Sequence, residues 1–194
     1  MKNKELSKKI AEIIRVDHAG ECGAQVIYQG QITAMKLKNI FSNNSQNIAI
    51  IESMKNQEID HFQYFDNYLK ENQIRPTLMQ PIWKIGGFGL GFFTAILGNK
   101  TAMACTTAVE EVIEEHYQQQ IDVLSSEINK QEIIQEEKLN LQNLSQKIQE
   151  FQADEVHHRD IGYNNKAKES PIFMPLTNII KFITKTAIAV SKKI

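Results

Sequence analysis

Residues 141–162 read LQNLSQKIQEFQADEVHHRDIG, and the face on which Glu155 and His158 fall decides what kind of protein this is. Leu141, Leu144, Ile148 and Phe151 recur at the three-and-four spacing of one side of an α-helix. Continued, that line passes through Glu155, His158 and Gly162. Asp154 and His157 instead extend the row of Gln146 and Glu150, a polar and solvated face. His157 is therefore expected to meet water or an outer partner of a site. A carboxylate inside an apolar stripe is costly unless something pairs with it.

Three other segments carry the same anomaly. The stripe Ile51, Met54, Phe62, Phe65, Leu69 contains Glu58 and His61, again three residues apart. Met103, Thr106, Ile113, Tyr117, Ile121 and Leu124 share a line with Glu110, which places Glu111 outward. Ile14, Ala24 and Tyr28 share one with Asp17 and Glu21, and Gly20 and Gly23 there would let a neighbouring helix approach closely. Four helices thus each send a glutamate inward, and two add a histidine. A Glu from each of two helices plus Glu-x-x-His from two others is the donor set of ferritin-like dinuclear carboxylate bundles. The candidate ligands are Glu21, Glu58, His61, Glu110, Glu155 and His158, arranged as two bridging glutamates and two terminal Glu/His pairs. The order Glu then Glu-x-x-His occurs twice, at intervals of 37 and 45 residues. Oxygen and imidazole donors suit iron or manganese better than thiolate-bound zinc. Cys22 points about 100° away from Glu21 on a helix and is not counted as a ligand. His18 reads as an outer or structural residue, and His116 matches no Glu-x-x-His motif.

The rest of the chain is consistent with an all-α, single domain over residues 1–194. Apolar residues make up 42% and charged residues 23% of the sequence, a globular composition. A net charge of −1 gives no footing for nucleic-acid binding. Two cysteines, Cys22 and Cys105, make no disulfide framework and read as reduced packing residues. Helices are expected from about Glu5 to Asn39, Gln46 to Asn72, Thr101 to Leu124 and Gln131 to Tyr163, with loops at FSNNSQN and QIRPTLMQP. The end of the chain, PLTNIIKFITKTAIAVSKKI, is basic and amphipathic, suited to anionic lipid or to capping the bundle. Residues 82–98, IWKIGGFGLGFFTAILG, contain most of a run from Ile85 to Asn99 without a charge. Such a run makes about 22 Å of helix, short against a hydrocarbon core of about 30 Å. It is expected to dip into a membrane rather than span it, with a buried connecting helix as the alternative. GFGLGF is no dinucleotide fingerprint, since it lacks the third glycine and follows no strand. The charged N-terminal stretch has no apolar signal core, and with no transit segment and a Lys/Asn/Ile-rich composition the chain is expected to be peripheral on the cytoplasmic face of a bacterial cell membrane.

The stretches IIRVDHAGECGAQVIYQGQ, QEIDHF, RPTLMQPIWKIGGFGLGFFTAILG, TAMACTTAVEEVIEEHYQQQI and VHHRDIG resemble the demethoxyubiquinone hydroxylase family of ubiquinone biosynthesis, in register from about residue 13 to 163. The resemblance implies a ferritin-like bundle with two iron ions on the same six residues. It implies O2-dependent hydroxylation of a polyprenyl methoxy-benzoquinol, with an external electron donor and the Gly-rich segment as a membrane-docking surface. Tyr117, with His116 beside it, is then a candidate relay for an electron or proton, the alternative being a hydrogen-bonded core tyrosine. Self-association and accessory proteins of the same pathway are left open. His157, where the family leads one to expect an acid, and Arg159 after it are expected to alter the hydrogen bonding of His158. A ferroxidase, a manganese catalase and a non-enzymatic membrane-associated assembly factor are the rival readings. The first two leave the apolar insert without a role.

Overall fold

In the computed structural model, residues 4–39, 45–130 and 133–193 are described, and no strand occurs among them. The helices are α1 (Lys4–Asn39), α2 (Ser45–Glu71), α3 (Gln80–Leu97), α4 (Asn99–Ile128), α5 (Gln135–Asn164) and α6 (Phe173–Ser191), with a 3₁₀ turn at Ala167–Glu169 before the last. These bounds fall within four residues of those expected from the sequence. The expected start of the fifth helix at Gln131 and the expected loop over residues 41–44 lie outside the described residues.

Local chemistry sets the helix ends. After α2 the chain closes with Ile74 N–H on the Leu69 carbonyl and Gln73 N–H on the Lys70 carbonyl, Gln73 taking the left-handed φ of 54° that this cap needs. Pro81 sits in the first turn of α3, where its missing N–H costs nothing. Gly98 alone separates α3 from α4. Its φ of 134° and ψ of 161° lie where only glycine is at ease, and its carbonyl accepts from Thr101 and Ala102 to start α4.

The helices form two triplets. In the first, α1 packs against α2 and α3; in the second, α4 packs against α5 and α6. Helices α1, α2, α4 and α5 make a ferritin-like four-helix bundle, with α3 laid along α1 and α6 along α4. One apolar core fills the end of the bundle around Tyr28, Met35, Met54 and Met103, and another fills the opposite end around Phe65, Leu124, Leu141 and Ile148. The inward glutamates occupy the layer between them.

Helix α3 meets α1 through glycines, but not the ones the sequence suggested. A Cβ at Gly91 would collide with the Ile27 carbonyl oxygen, and one at Gly30 with the Phe88 carbonyl oxygen. At Gly20 it would only touch Ile113 at 3.8 Å, and at Gly23 it would meet nothing within 4 Å. Gly20 and Gly23 instead face an apolar groove, so their lack of a side chain makes room rather than contact. The outer faces of α3 and α6 leave large apolar side chains in the open, with Ile85 77% and Phe182 73% exposed. Among the described residues, α6 is the helix long and apolar enough to cross a membrane by length and composition. The Gly-rich α3, diluted by its glycines, Lys84 and Pro81, is not.

Gly91→Ala is expected to destabilise the protein by about 1–3 kcal/mol or more, because backbone must move. Gly89→Ala, which meets nothing within 4 Å, should be neutral or stabilise by up to about 1 kcal/mol through helix propensity. Urea unfolding of the two variants distinguishes packing from propensity.

Candidate metal centre

Helix periodicity delivers all six inward side chains to one buried layer. Glu21, Glu58, His61, Glu110, Glu155 and His158 are each at most 2% exposed. Their donor atoms fall into two interlocked groups, Glu21, Glu58, His61 and Glu155 in one and Glu58, Glu110, Glu155 and His158 in the other. Within each group the atoms lie within 4.8 Å of one another. Glu58 and Glu155 belong to both, so the shared acids are those of the two Glu-x-x-His motifs.

These groups approach one another without bonding. His158 Nδ1 lies 3.0 Å from Glu58 Oε1, and His61 Nδ1 lies 3.3 Å from Glu155 Oε1. Yet both Nδ1 atoms and both oxygens of Glu58 and of Glu155 lack a hydrogen-bond partner. Buried polar atoms in proteins are nearly always satisfied, so a set of orphans aimed at common points is the signature of a cation site. Two divalent cations would balance four carboxylates, with the imidazoles neutral. The residues fit a pair of metal ions.

Outside this layer, four side chains hold four of the six in place, leaving Glu58 and Glu155 unbraced. Tyr28 O–H donates to Glu110 Oε1 at 2.5 Å, and Tyr117 O–H donates to Glu21 Oε1. Burial, reinforced by the nearby acids, pushes both phenols well above their usual range and keeps them donors. His61 Nε2 lies 3.1 Å from Asp154 Oδ2, and His158 Nε2 lies 2.9 Å from Gln57 Oε1. Each partner oxygen accepts, so Nε2–H points outward and Nδ1 is the atom that faces the centre, free to ligate once it sheds any proton.

The protonation pattern reflects crowded acids. Burial first, then Glu155 and Glu21, raises the carboxyl of Glu58 well above the ordinary range. Burial and Glu155 do the same to Glu110. Burial also opposes ionisation of Glu155, but His158 and His61 beside it outweigh that and hold it down at about 2. Burial opposes the charged form of His61 too, yet Glu155 and Glu21 win and push it up to about 11.

Several residues prove peripheral. His18 pairs with Asp66 at 3.4 Å and lies against the Phe62 ring, away from the centre. His157 is exposed, as its polar row implies. Arg159 pairs with Glu114 and Asp160, so neither it nor His157 changes the bonding of His158. Glu111 turns out of the core but is held under α6 by Tyr163 and Lys181. Cys22 accepts from Gln80 instead of facing the acids. His116 contributes no atom to the centre; its Nε2 lies 2.8 Å from Gln120 Nε2, which donates to Asp17 at 2.6 Å. The sequence reading passed over Gln57 and placed Asp154 on a wet face. A signal was there in retrospect: each immediately precedes the glutamate of a Glu-x-x-His motif.

Residues 8–191 match the family described as Ubiquinone biosynthesis protein COQ7. The chain belongs to this family. It is 40% identical over 185 residues to a protein of Rhodospirillum rubrum named 3-demethoxyubiquinol 3-hydroxylase, covering 95% of this chain and 78% of that one. A Dictyostelium discoideum relative named NADPH-dependent 3-demethoxyubiquinone 3-hydroxylase, mitochondrial, is 37% identical over 195 residues, covering 100% of this chain and 82% of the relative. A Homo sapiens protein of the same name is 37% identical over 185 residues, covering 95% and 78%.

Metal-free protein should lose stability as pH rises from about 6 to about 9. The raised groups His61, Glu58 and Glu110 bind more protons folded than unfolded, so their contribution is full below their unfolded pKa values and is lost on the way up. Glu155 works the other way, but only as pH falls from 4.5 toward 2. Calorimetry in chelator should show this decline, and added divalent metal should reverse it by taking the place of the protons. A chelated protein whose melting temperature is flat or rises over that range contradicts the assignment of charge.

Proposed function

We propose that the chain is an O2-dependent demethoxyubiquinol hydroxylase, built as one domain around two iron ions held by Glu21, Glu58, His61, Glu110, Glu155 and His158. The observation that carries this reading is the pair of interlocked, buried, unsatisfied Glu/His groups next to an apolar groove. Glu58 and Glu155, common to both groups, would be the residues shared between the two ions. Glu21 with His61 and Glu110 with His158 would hold one ion each. When bound, the ferrous pair would supply the redox chemistry that activates O2.

The protein's own residues supply position, dryness and access. Tyr28 and Tyr117 fix the terminal glutamates by donating to one oxygen of each, leaving the other oxygen for a metal. The groove, of about 290 Å³, runs between α1, α3, α4 and α6 and is lined by Gly20, Ile27, Trp83, Leu90, Ile113 and Ile183, among others. Its walls adjoin the centre directly in the chain: Gly20 precedes Glu21, and Val109 precedes Glu110. A polyprenyl tail laid there buries apolar surface worth about 0.8 kcal/mol per CH2 and excludes water from the ring end. The open apolar faces of α3 and α6 flank the same groove, which supports docking on the membrane that holds such a substrate, at the cytoplasmic face of a bacterial cell. An iron-storage or peroxide-disproportionating protein has no use for this groove.

Electrons are proposed to come from NADPH, the donor in the names of several relatives. A cleft of about 760 Å³ between α1, α4 and the end of α6 gathers Lys8, Arg15, Lys185, Lys192 and Lys193 against Glu12 and Glu115. Its wall includes His116, whose pKa burial and then Lys192 depress to about 4, so it stays neutral. Tyr117, next in sequence, reaches Glu21. The adjacency of His116, on the wall of this cationic cleft, to Tyr117, on Glu21, supports the proposal that the two relay an electron or proton to the metal layer.

Iron-loaded protein given a demethoxyubiquinol, NADPH and 18O2 should return a hydroxylated quinol with one 18O atom, read by mass spectrometry. Lys192→Glu should raise the KM for NADPH about tenfold or more with the quinol KM unchanged, since a hydrogen bond to a charged group contributes about 1.5–3 kcal/mol. A fully loaded protein that forms no product, or takes the oxygen from water, overturns the reading. Equal KM values in the variant remove the donor from this cleft.

A further inference from the structure

The metal layer is braced crosswise, and the bracing repeats. In the first triplet Tyr28 follows Glu21 by seven residues, and Gln57 stands immediately before Glu58, with His61 after it. In the second triplet Tyr117 follows Glu110 by seven, and Asp154 stands immediately before Glu155, with His158 after it. Every brace crosses to the other triplet. Tyr117 holds Glu21 and Tyr28 holds Glu110, while Asp154 holds His61 and Gln57 holds His158. Each terminal Glu/His pair thus comes from one triplet and is oriented entirely by the other.

Of the five positions in this repeat, four carry the same residue type in both halves: Glu, Tyr, Glu and His. The fifth does not. It is Gln57 in one half and Asp154 in the other. The imidazole of His61 therefore donates to a carboxylate, and that of His158 to a neutral amide. An anionic acceptor on Nε2–H draws the proton outward and makes Nδ1 the stronger donor toward a metal. It also adds negative charge to that end of the layer. Solvent screens the bare charge, since the Asp154 side chain is 41% exposed, but the direct hydrogen bond of 3.1 Å does not depend on long range. Nothing compensates at the glutamates, because Glu21 and Glu110 each accept from a tyrosine.

We propose that the two metal positions are unequal: the position of Glu21 and His61 binds more tightly and fills first, with Asp154 as its positioning residue. The proposal rests on the dinuclear reading above and adds an order of loading to it. Asp154 touches no reacting group; it acts through His61.

The test is an anaerobic titration of the metal-free, full-length protein with Co2+ alone, followed by its visible absorption and by calorimetry. Two resolved steps of one equivalent each are expected. Asp154→Asn keeps an acceptor for His61 and should weaken the first step about 10–100-fold, the usual range for such partners, leaving the second in place. Asp154→Glu should restore it. Gln57→Glu should strengthen the second step instead, bringing the two together. Two equivalents binding as one step in the unaltered protein overturns the inequality, as does Asp154→Asn weakening both steps alike. No binding of cobalt at all contradicts the dinuclear reading itself, a separate failure from loss of the order.

Discussion

Four carboxyl groups share one dry layer in the middle of a helical bundle, and the rest of the structure answers to their repulsion. Left alone, they are accommodated by raising the pKa of the Glu58 and Glu110 carboxyls and by drawing His61 toward its charged form. Two divalent cations relieve the same repulsion without protons. Burying such groups against helices that pack well at both ends is a cost no purely structural role requires, since apolar side chains of similar volume would do better. The cores on either side, around Met54 and Met103 and around Phe65 and Leu141, carry the stability that lets the middle be polar.

Geometry then divides the labour between two similar halves. Each triplet offers a glutamate, a Glu-x-x-His pair and an outer helix. The outer helices, α3 and α6, are not needed to enclose the centre; they frame an apolar groove beside it. Close glycine contacts at Gly30 and Gly91 hold α3 down on α1, while Gly20 and Gly23 leave the groove its width. The basic cleft, like the groove, is walled by α1, α4 and α6, and the two share Ile188.

Much of this is legible in the sequence, for a physical reason. Helical periodicity is local, so a glutamate lying in line with Leu, Ile, Met and Phe announces its direction without knowledge of any partner. Glu155, Glu58, Glu110 and Glu21 were all readable in that way, and the buried layer contains each of them. What depends on contacts across the bundle was not. Asp154 sits on a half-exposed face and reaches His61 from α5, a pairing between residues 93 apart. Gln57 reaches His158 across 101 residues, and Tyr28 reaches Glu110 across 82. The glycines show the same limit. Their presence in α1 suggested a close approach, but which ones meet a neighbour depends on the crossing point with α3.

The most direct test of the central claim is the metal content of the full-length protein purified in detergent from iron-supplemented cells, compared with Glu155→Ala and Glu21→Ala. Glu155 is shared by both groups and Glu21 belongs to one. About two irons per chain, almost none in Glu155→Ala and about one in Glu21→Ala, is the result this account predicts. A folded, unaltered protein that retains no metal after anaerobic iron loading would contradict it, and the acids of the central layer would then be a protonated network with no ion to hold.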